Sequence, residues 1–170
     1  FLSGDEGIGV LPIASRARNH QVSNERIATG IPRLDAMLGG KGFFRGSSIL
    51  LTGTPGTGKT IVAANFAQAA ARRGERVLFF SFEESPDQII RNMHSIGLRL
   101  APLVQRDRLR FHSARPSLYG LEMHLATMFK EIATFQPQVV VIDPITSLMD
   151  SGTDSETKGM ITRLIDYLKA

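Results

Sequence analysis

The fold is decided by the stretch Ser48-Ile49-Leu50-Leu51-Thr52-Gly53-Thr54-Pro55-Gly56-Thr57-Gly58-Lys59-Thr60. Its last eight residues fit the pattern G-x-x-x-x-G-K-[ST]. The apolar run before them predicts a strand over 48–52, and the alanine-rich segment after them predicts a helix to about Arg73, ended by Gly74. A strand, a glycine-rich loop and a helix in this order are typical of a phosphate-binding loop.

The residue types in this loop suit a nucleoside triphosphate. Three glycines let the backbone wrap closely, so that successive N–H groups and the helix N-terminus face the phosphates. Lys59 would place a positive charge near the β- and γ-phosphates, and Thr60 would offer its hydroxyl to Mg²⁺. We therefore expect binding of Mg-ATP or a closely related nucleotide. The expected nucleotide-binding residues are Gly53, Thr54, Pro55, Gly56, Thr57, Gly58, Lys59 and Thr60.

Beyond the loop, strand and helix patterns alternate along the chain. This rhythm predicts an α/β fold with right-handed crossovers, in which helices cover both faces of a mostly parallel sheet. The predicted strands are 77–82, 109–112 and 139–143, and the predicted helices are 85–96, 118–134 and a closing segment from about 156.

Acidic residues follow two of the predicted strands, where ligands of parallel sheets bind. Glu83 and Glu84 could polarise water or a hydroxyl for attack on the γ-phosphate, or they could simply favour the positive end of the next helix. Asp143 ends a run of β-branched residues and is expected to bind magnesium through water. Its alternative role is to cap the turn with Pro144.

Composition sets further bounds on the function. The 170 residues are 42% hydrophobic and 21% charged, with a net charge of +4, as in a globular domain. The absence of cysteine excludes disulfides, thiolate zinc sites and a cysteine nucleophile. Because no long apolar run or signal-peptide pattern is present, we expect a cytoplasmic protein without a membrane segment.

The beginning of the chain differs in character from the rest. Residues 1–24 are rich in Gly, Ser, Arg and Pro, with one candidate strand at 9–13, and they indicate a linker or the tail of a preceding domain. Residues 25–170 are expected to be the N-terminal part of an ATPase domain, starting with a short helix over 31–38. The start at Phe1 and the helical pattern at the end lead us to expect a piece of a longer protein.

Several short segments together resemble the KaiC-like ATPases of the RecA superfamily, the family of the circadian clock protein KaiC. The resemblance spans nearly the whole chain and is more specific than the phosphate loop alone. It is carried by the phosphate loop and by residues 26–31, 34–35, 38–40, 42–46, 83–85 and 139–143.

This resemblance implies a RecA-like domain and assigns roles to its residues. Glu83 and Glu84 match the family's catalytic base, while the Lys, Thr and Asp roles fall on Lys59, Thr60 and Asp143. The family typically forms hexameric rings with ATP between subunits, and regulatory protein partners follow from that likeness. The chain would be the front half of a second KaiC-like domain, and Ser/Thr autokinase activity would belong to the intact protein.

Two other functions are open at this point. A DNA-dependent recombinase or motor of the same superfamily would bind single-stranded DNA in a salt-sensitive manner. A nucleotide-dependent interaction module would bind ATP without turnover. The acidic pair and the Gly42-Phe43-Phe44 segment favour the KaiC-like ATPase over the DNA-dependent enzyme.

Overall fold

A computed structural model describes residues 2–4, 7–9, 23–115 and 120–169. The strands are β1 (Leu2–Gly4), β2 (Gly7–Gly9), β3 (Arg26–Ile27), β4 (Phe43–Phe44), β5 (Val77–Ser81), β6 (Leu109–Ser113) and β7 (Val139–Asp143). The α-helices are α1 (Pro32–Met37), α2 (Lys59–Arg72), α3 (Pro86–Ser95), α4 (Ala101–Gln105), α5 (Leu121–Phe135) and α6 (Asp154–Leu168). A 3₁₀ helix covers Ile145–Ser151.

The central sheet is parallel and has the order β6-β5-β7. Val77 of β5 pairs with Leu109 on one side and Val139 on the other, and this register continues to the ends of the strands. At the carboxyl edge, Ser81 lies opposite Asp143. The predicted parallel α/β architecture is therefore confirmed.

Alternate residues of β5 enter two separate cores, because successive strand side chains point to opposite faces. Val77 and Phe79 pack with α2, α3 and α4 on one face. Leu78 and Phe80 pack with α5, the 3₁₀ helix and α6 on the other. All four side chains are fully buried, so helices cover both faces of the sheet.

Helix α3 begins as the sequence predicts. The Ser85 side chain accepts a hydrogen bond from the Gln88 amide, and the Gln88 side chain accepts one from the Ser85 amide. This capping box satisfies two amides that the helix itself cannot bond. It also fixes the point at which the chain leaves the acidic pair Glu83–Glu84.

The strand predicted over 48–52 is wrong. These residues form no strand and pair with none of the described strands. Ile49, Leu50 and Leu51 are 43%, 71% and 41% exposed, whereas every residue of β5 is buried. An apolar run becomes a strand only where neighbouring strands accept its backbone hydrogen bonds, and among the described strands β7 pairs with β5 alone.

Other differences from the predicted elements are small. Strand β5 ends at Ser81 rather than Phe82, although the Phe82 amide still donates to the Asp143 carbonyl at 3.0 Å. The predicted start of the long helix at 118 and most of the candidate strand at 9–13 lie outside the described residues.

Candidate functional site

The phosphate loop is held together by hydrogen bonds within itself. The Thr57 hydroxyl donates to the Thr54 carbonyl at 2.8 Å. The Lys59 ammonium donates to the carbonyls of Gly53 at 2.8 Å and Thr54 at 2.9 Å. The Lys59 side chain thus folds back onto the backbone of its own loop. The phosphates of a bound nucleotide could replace these carbonyls as its hydrogen-bond partners.

Two glycines of the loop have positions that only glycine fits well. Gly58 has φ +88°, a left-handed conformation that L side chains rarely adopt. A Cβ on Gly53 would lie 2.6 Å from the Thr57 hydroxyl oxygen, which is closer than real contacts allow. The motif therefore sets the local backbone shape.

Helix α2 opens directly onto this loop. Its N-cap is Gly58, which provides no side-chain hydrogen bond, and the first helical bond runs from the Val62 amide to the Gly58 carbonyl at 3.0 Å. The amides of Lys59, Thr60 and Ile61 precede that bond and have no intrahelical acceptor. Free amides at the positive end of a 14-residue helix form an anion-binding site, so the loop fits the phosphates of a nucleotide.

The acidic residues meet at the carboxyl edge of the sheet. Asp143 is the last residue of β7, and Glu83 follows Phe82, whose amide bonds the Asp143 carbonyl. Helix α2, which starts at the phosphate loop, packs against both β5 and β7. The structure therefore places Glu83 and Asp143 at the ends of neighbouring strands, and α2 links the phosphate loop to those strands.

The two residues of the acidic pair have different partners. Glu83 accepts a hydrogen bond from the Ser147 hydroxyl at 2.9 Å. Glu84 accepts one from the Asn92 amide group at 3.0 Å, and its backbone carbonyl accepts from the Ser81 hydroxyl. Glu83 is thus tied to the segment that follows Asp143, and Glu84 is tied to helix α3.

Ser147 is the residue of this region that the sequence analysis did not identify. It lies four residues after Asp143, within the 3₁₀ helix, and belongs to no recognised motif. Polar residues that follow a strand end indicate that this segment is of interest. A single serine within it does not indicate a role for that residue. Its link to Glu83 spans 64 positions of sequence and depends on the pairing of β5 with β7.

A magnesium ion would have few protein ligands here. Among the described residues, no group of three or more His, Cys, Asp or Glu side chains could hold a metal. Thr60 and Asp143 are both partly buried. A hydroxyl and a carboxylate are oxygen donors of the kind that Mg²⁺ prefers, and Mg²⁺ usually keeps several waters and binds nucleotide phosphates as well.

A glycine-rich loop that opens a helix packed against a parallel sheet is typical of nucleotide-binding proteins of the phosphate-loop class. The family model described as the KaiC ATPase matches residues 27–170. The chain belongs to this KaiC ATPase family, and its fold is RecA-like.

Individual relatives agree with this assignment. The chain is 54% identical over 170 residues to the circadian clock protein KaiC2 of Synechocystis sp. (strain ATCC 27184 / PCC 6803 / Kazusa), covering all of the chain and 30% of that protein. It is 41% identical over 165 residues to the circadian clock oscillator protein KaiC of Thermostichus vulcanus, covering 97% of the chain and 32% of that protein. The chain thus spans about a third of the length of these relatives.

No helix in the described part of the chain is long and apolar enough to cross a membrane.

Proposed function

We propose that the protein containing this chain binds and hydrolyses Mg-ATP, with the phosphate loop as the nucleotide site. The observation that carries the proposal is the N-terminus of α2, which has no side-chain cap, behind a loop whose lysine, among the described residues, hydrogen-bonds only to loop carbonyls. Membership of the KaiC ATPase family supports it. Magnesium, held through Thr60 and Asp143, would neutralise phosphate charge.

Within this site, Glu83 is proposed as the catalytic base. A base must be held close to the nucleophile it deprotonates, and Glu83 is tied through Ser147 to the segment that follows Asp143. Glu84 is proposed to stabilise the turn into α3 through its bond to Asn92. The two carboxylates therefore have separate roles, although the sequence pattern treats them as a pair.

The intact protein is proposed to act as a cytoplasmic homo-oligomer, in a hexameric ring, that regulates protein partners in a circadian-type or related signalling process. The names of the relatives, which are circadian clock proteins, support this assignment. Residues 25–170 would then be the front part of one ATPase domain, with residues 1–24 as a linker or the tail of a preceding one. Ser/Thr autokinase activity is a further part of this proposal and rests on the resemblance.

The test compares Glu83→Gln with Glu84→Gln in the full-length protein. A positioned base contributes about 10²- to 10⁴-fold, so we expect Glu83→Gln to lower ATP turnover by at least roughly 100-fold. Glu84→Gln should lower it by less than roughly fivefold, because it changes a contact to α3 rather than the base. ATP affinity should be retained in both. Equal turnover losses would overturn the division of roles, and full turnover in both would remove the pair from the mechanism.

A further inference from the structure

The hydrogen bond from Ser147 to Glu83 joins two loops that leave neighbouring strands. Ser147 is 8% exposed, and its hydroxyl donates to Oε1 of Glu83 at 2.9 Å. Within the described part of the chain, the other carboxylate oxygen, Oε2, has no hydrogen-bond partner. One oxygen of Glu83 is therefore held, while the other is available to accept a proton.

Both ends of this hydrogen bond are fixed by buried neighbours. Leu148 follows the serine and is fully buried in the core that contains Phe80 and Phe82. Phe82 precedes the glutamate and is 5% exposed, and its amide bonds the Asp143 carbonyl. Since the backbone on each side is anchored in the same core, the hydroxyl meets the carboxylate in a defined geometry.

We propose that Ser147 is a positioning residue that orients Glu83 for general-base catalysis. This inference rests on the proposed function of Glu83 and adds a residue to it. A serine hydroxyl donates a single hydrogen, so it can hold one carboxylate oxygen and leave the other free. A restrained carboxylate spends more of its time in the reactive orientation, which raises kcat without changing ground-state ATP binding.

Three substitutions at Ser147 separate a hydrogen-bonding role from a packing role. Ser147→Ala removes the donor, Ser147→Cys keeps nearly the same shape with a weak donor, and Ser147→Thr keeps the hydroxyl. In the full-length protein, we expect Ala and Cys to lower kcat for ATP roughly tenfold, with KM changed by less than about twofold. Thr should keep at least about half of the wild-type kcat.

The kcat of Ser147→Cys decides between the two roles, because a purely packing role would tolerate a side chain of nearly the same shape. Wild-type kcat in Ser147→Cys would overturn the proposal, even if Ser147→Ala were slow or failed to fold. A higher KM with unchanged kcat would also overturn the proposal, since the hydroxyl would then act on ATP binding. Asn92→Ala is the matched control: it removes the hydrogen bond to Glu84, and its kcat should stay within about twofold of wild type.

Combining Ser147→Ala with Glu83→Gln distinguishes this inference from the proposed function. If the serine acts through the glutamate, the double variant should turn over ATP within about twofold of Glu83→Gln alone. Multiplied losses would show that Ser147 acts by another route and would overturn the inference while leaving Glu83 as the base. If Glu83→Gln alone keeps wild-type turnover, it is the proposed function that fails, and the inference fails with it.

Discussion

The two halves of the candidate site are built differently. The phosphate-loop half, residues 48–60, is largely exposed and is held by hydrogen bonds between residues at most six positions apart. The carboxylate half, with Glu83, Asp143 and Ser147, lies where β5 and β7 end and is held by contacts between residues 62 and 64 positions apart in sequence. Local sequence therefore determines the first half, and the packing of the sheet determines the second.

The largest expected effect is a loss of stability when a core side chain of the carboxylate half is removed. Phe80 is fully buried in the core that also contains Phe82 and Leu148, so Phe80→Ala should lower the free energy of unfolding of this chain by about 3–5 kcal/mol. Its matched control in the loop half is Leu50→Ala, where a side chain that is 71% exposed is removed. Leu50→Ala should change the free energy of unfolding by no more than about 0.5 kcal/mol.

Urea denaturation of both variants measures this difference. Equal losses of unfolding free energy in Phe80→Ala and Leu50→Ala would contradict the comparison. They would show that the segment before the phosphate loop is packed as firmly as β5.

A smaller effect is expected when the loop half loses its charge. Lys59→Ala should weaken ATP binding by the full-length protein roughly 10- to 100-fold, because a hydrogen bond to a charged group contributes about 1.5–3 kcal/mol. The fold itself should be unaffected, since the partners of Lys59 in the described part of the chain are carbonyls of its own loop. Isothermal titration calorimetry measures the affinity.

Lys41→Ala is the control for this charge change, as Lys41 is an exposed lysine outside the motif. Unchanged affinity in Lys59→Ala, or an equal loss in both variants, would show that the phosphates bind elsewhere.

The smallest expected effect concerns the chain just before the loop half. Arg45 donates hydrogen bonds to Glu25 at 2.6 and 3.0 Å, and this contact lowers the pKa of Glu25 below its ordinary value. A carboxyl group whose pKa is lowered in the folded state stabilises that state above its ordinary pKa. The contribution is lost as pH falls through the folded pKa.

We therefore expect Glu25→Gln to cost a little stability at neutral pH and nothing at strongly acidic pH. The pair is exposed, so salt should reduce the difference. Thermal unfolding of both forms between neutral and acidic pH measures it. A difference that grew on acidification would have the wrong sign for this contact.

The same contrast explains what the sequence could predict. The helix after the phosphate loop and the helix that starts after Ser85 follow from residues a few positions apart, and both helices are present as predicted. Strands β5 and β7 are predictable because each is a nearly unbroken apolar run, which is typical of a strand covered on both faces of a parallel sheet. The run 48–52 is also largely apolar, but an apolar run alone does not show whether a neighbouring strand pairs with it.

The proposed roles within the acidic pair also could not be predicted from the sequence. Glu83 and Glu84 are adjacent and chemically identical, so the sequence leaves open which one is the base. Their distinction comes from Ser147 and Asn92, which approach from different elements. Such contacts depend on sheet register and core packing, neither of which is encoded in a short motif.

The most direct test of the central claim is ATP turnover by the full-length protein with and without single-stranded DNA. A KaiC-like ATPase should hydrolyse ATP at the same rate in both conditions, because its site needs no nucleic acid. Turnover that required DNA, or was raised severalfold by it, would contradict the assignment and would favour a DNA-dependent motor or recombinase.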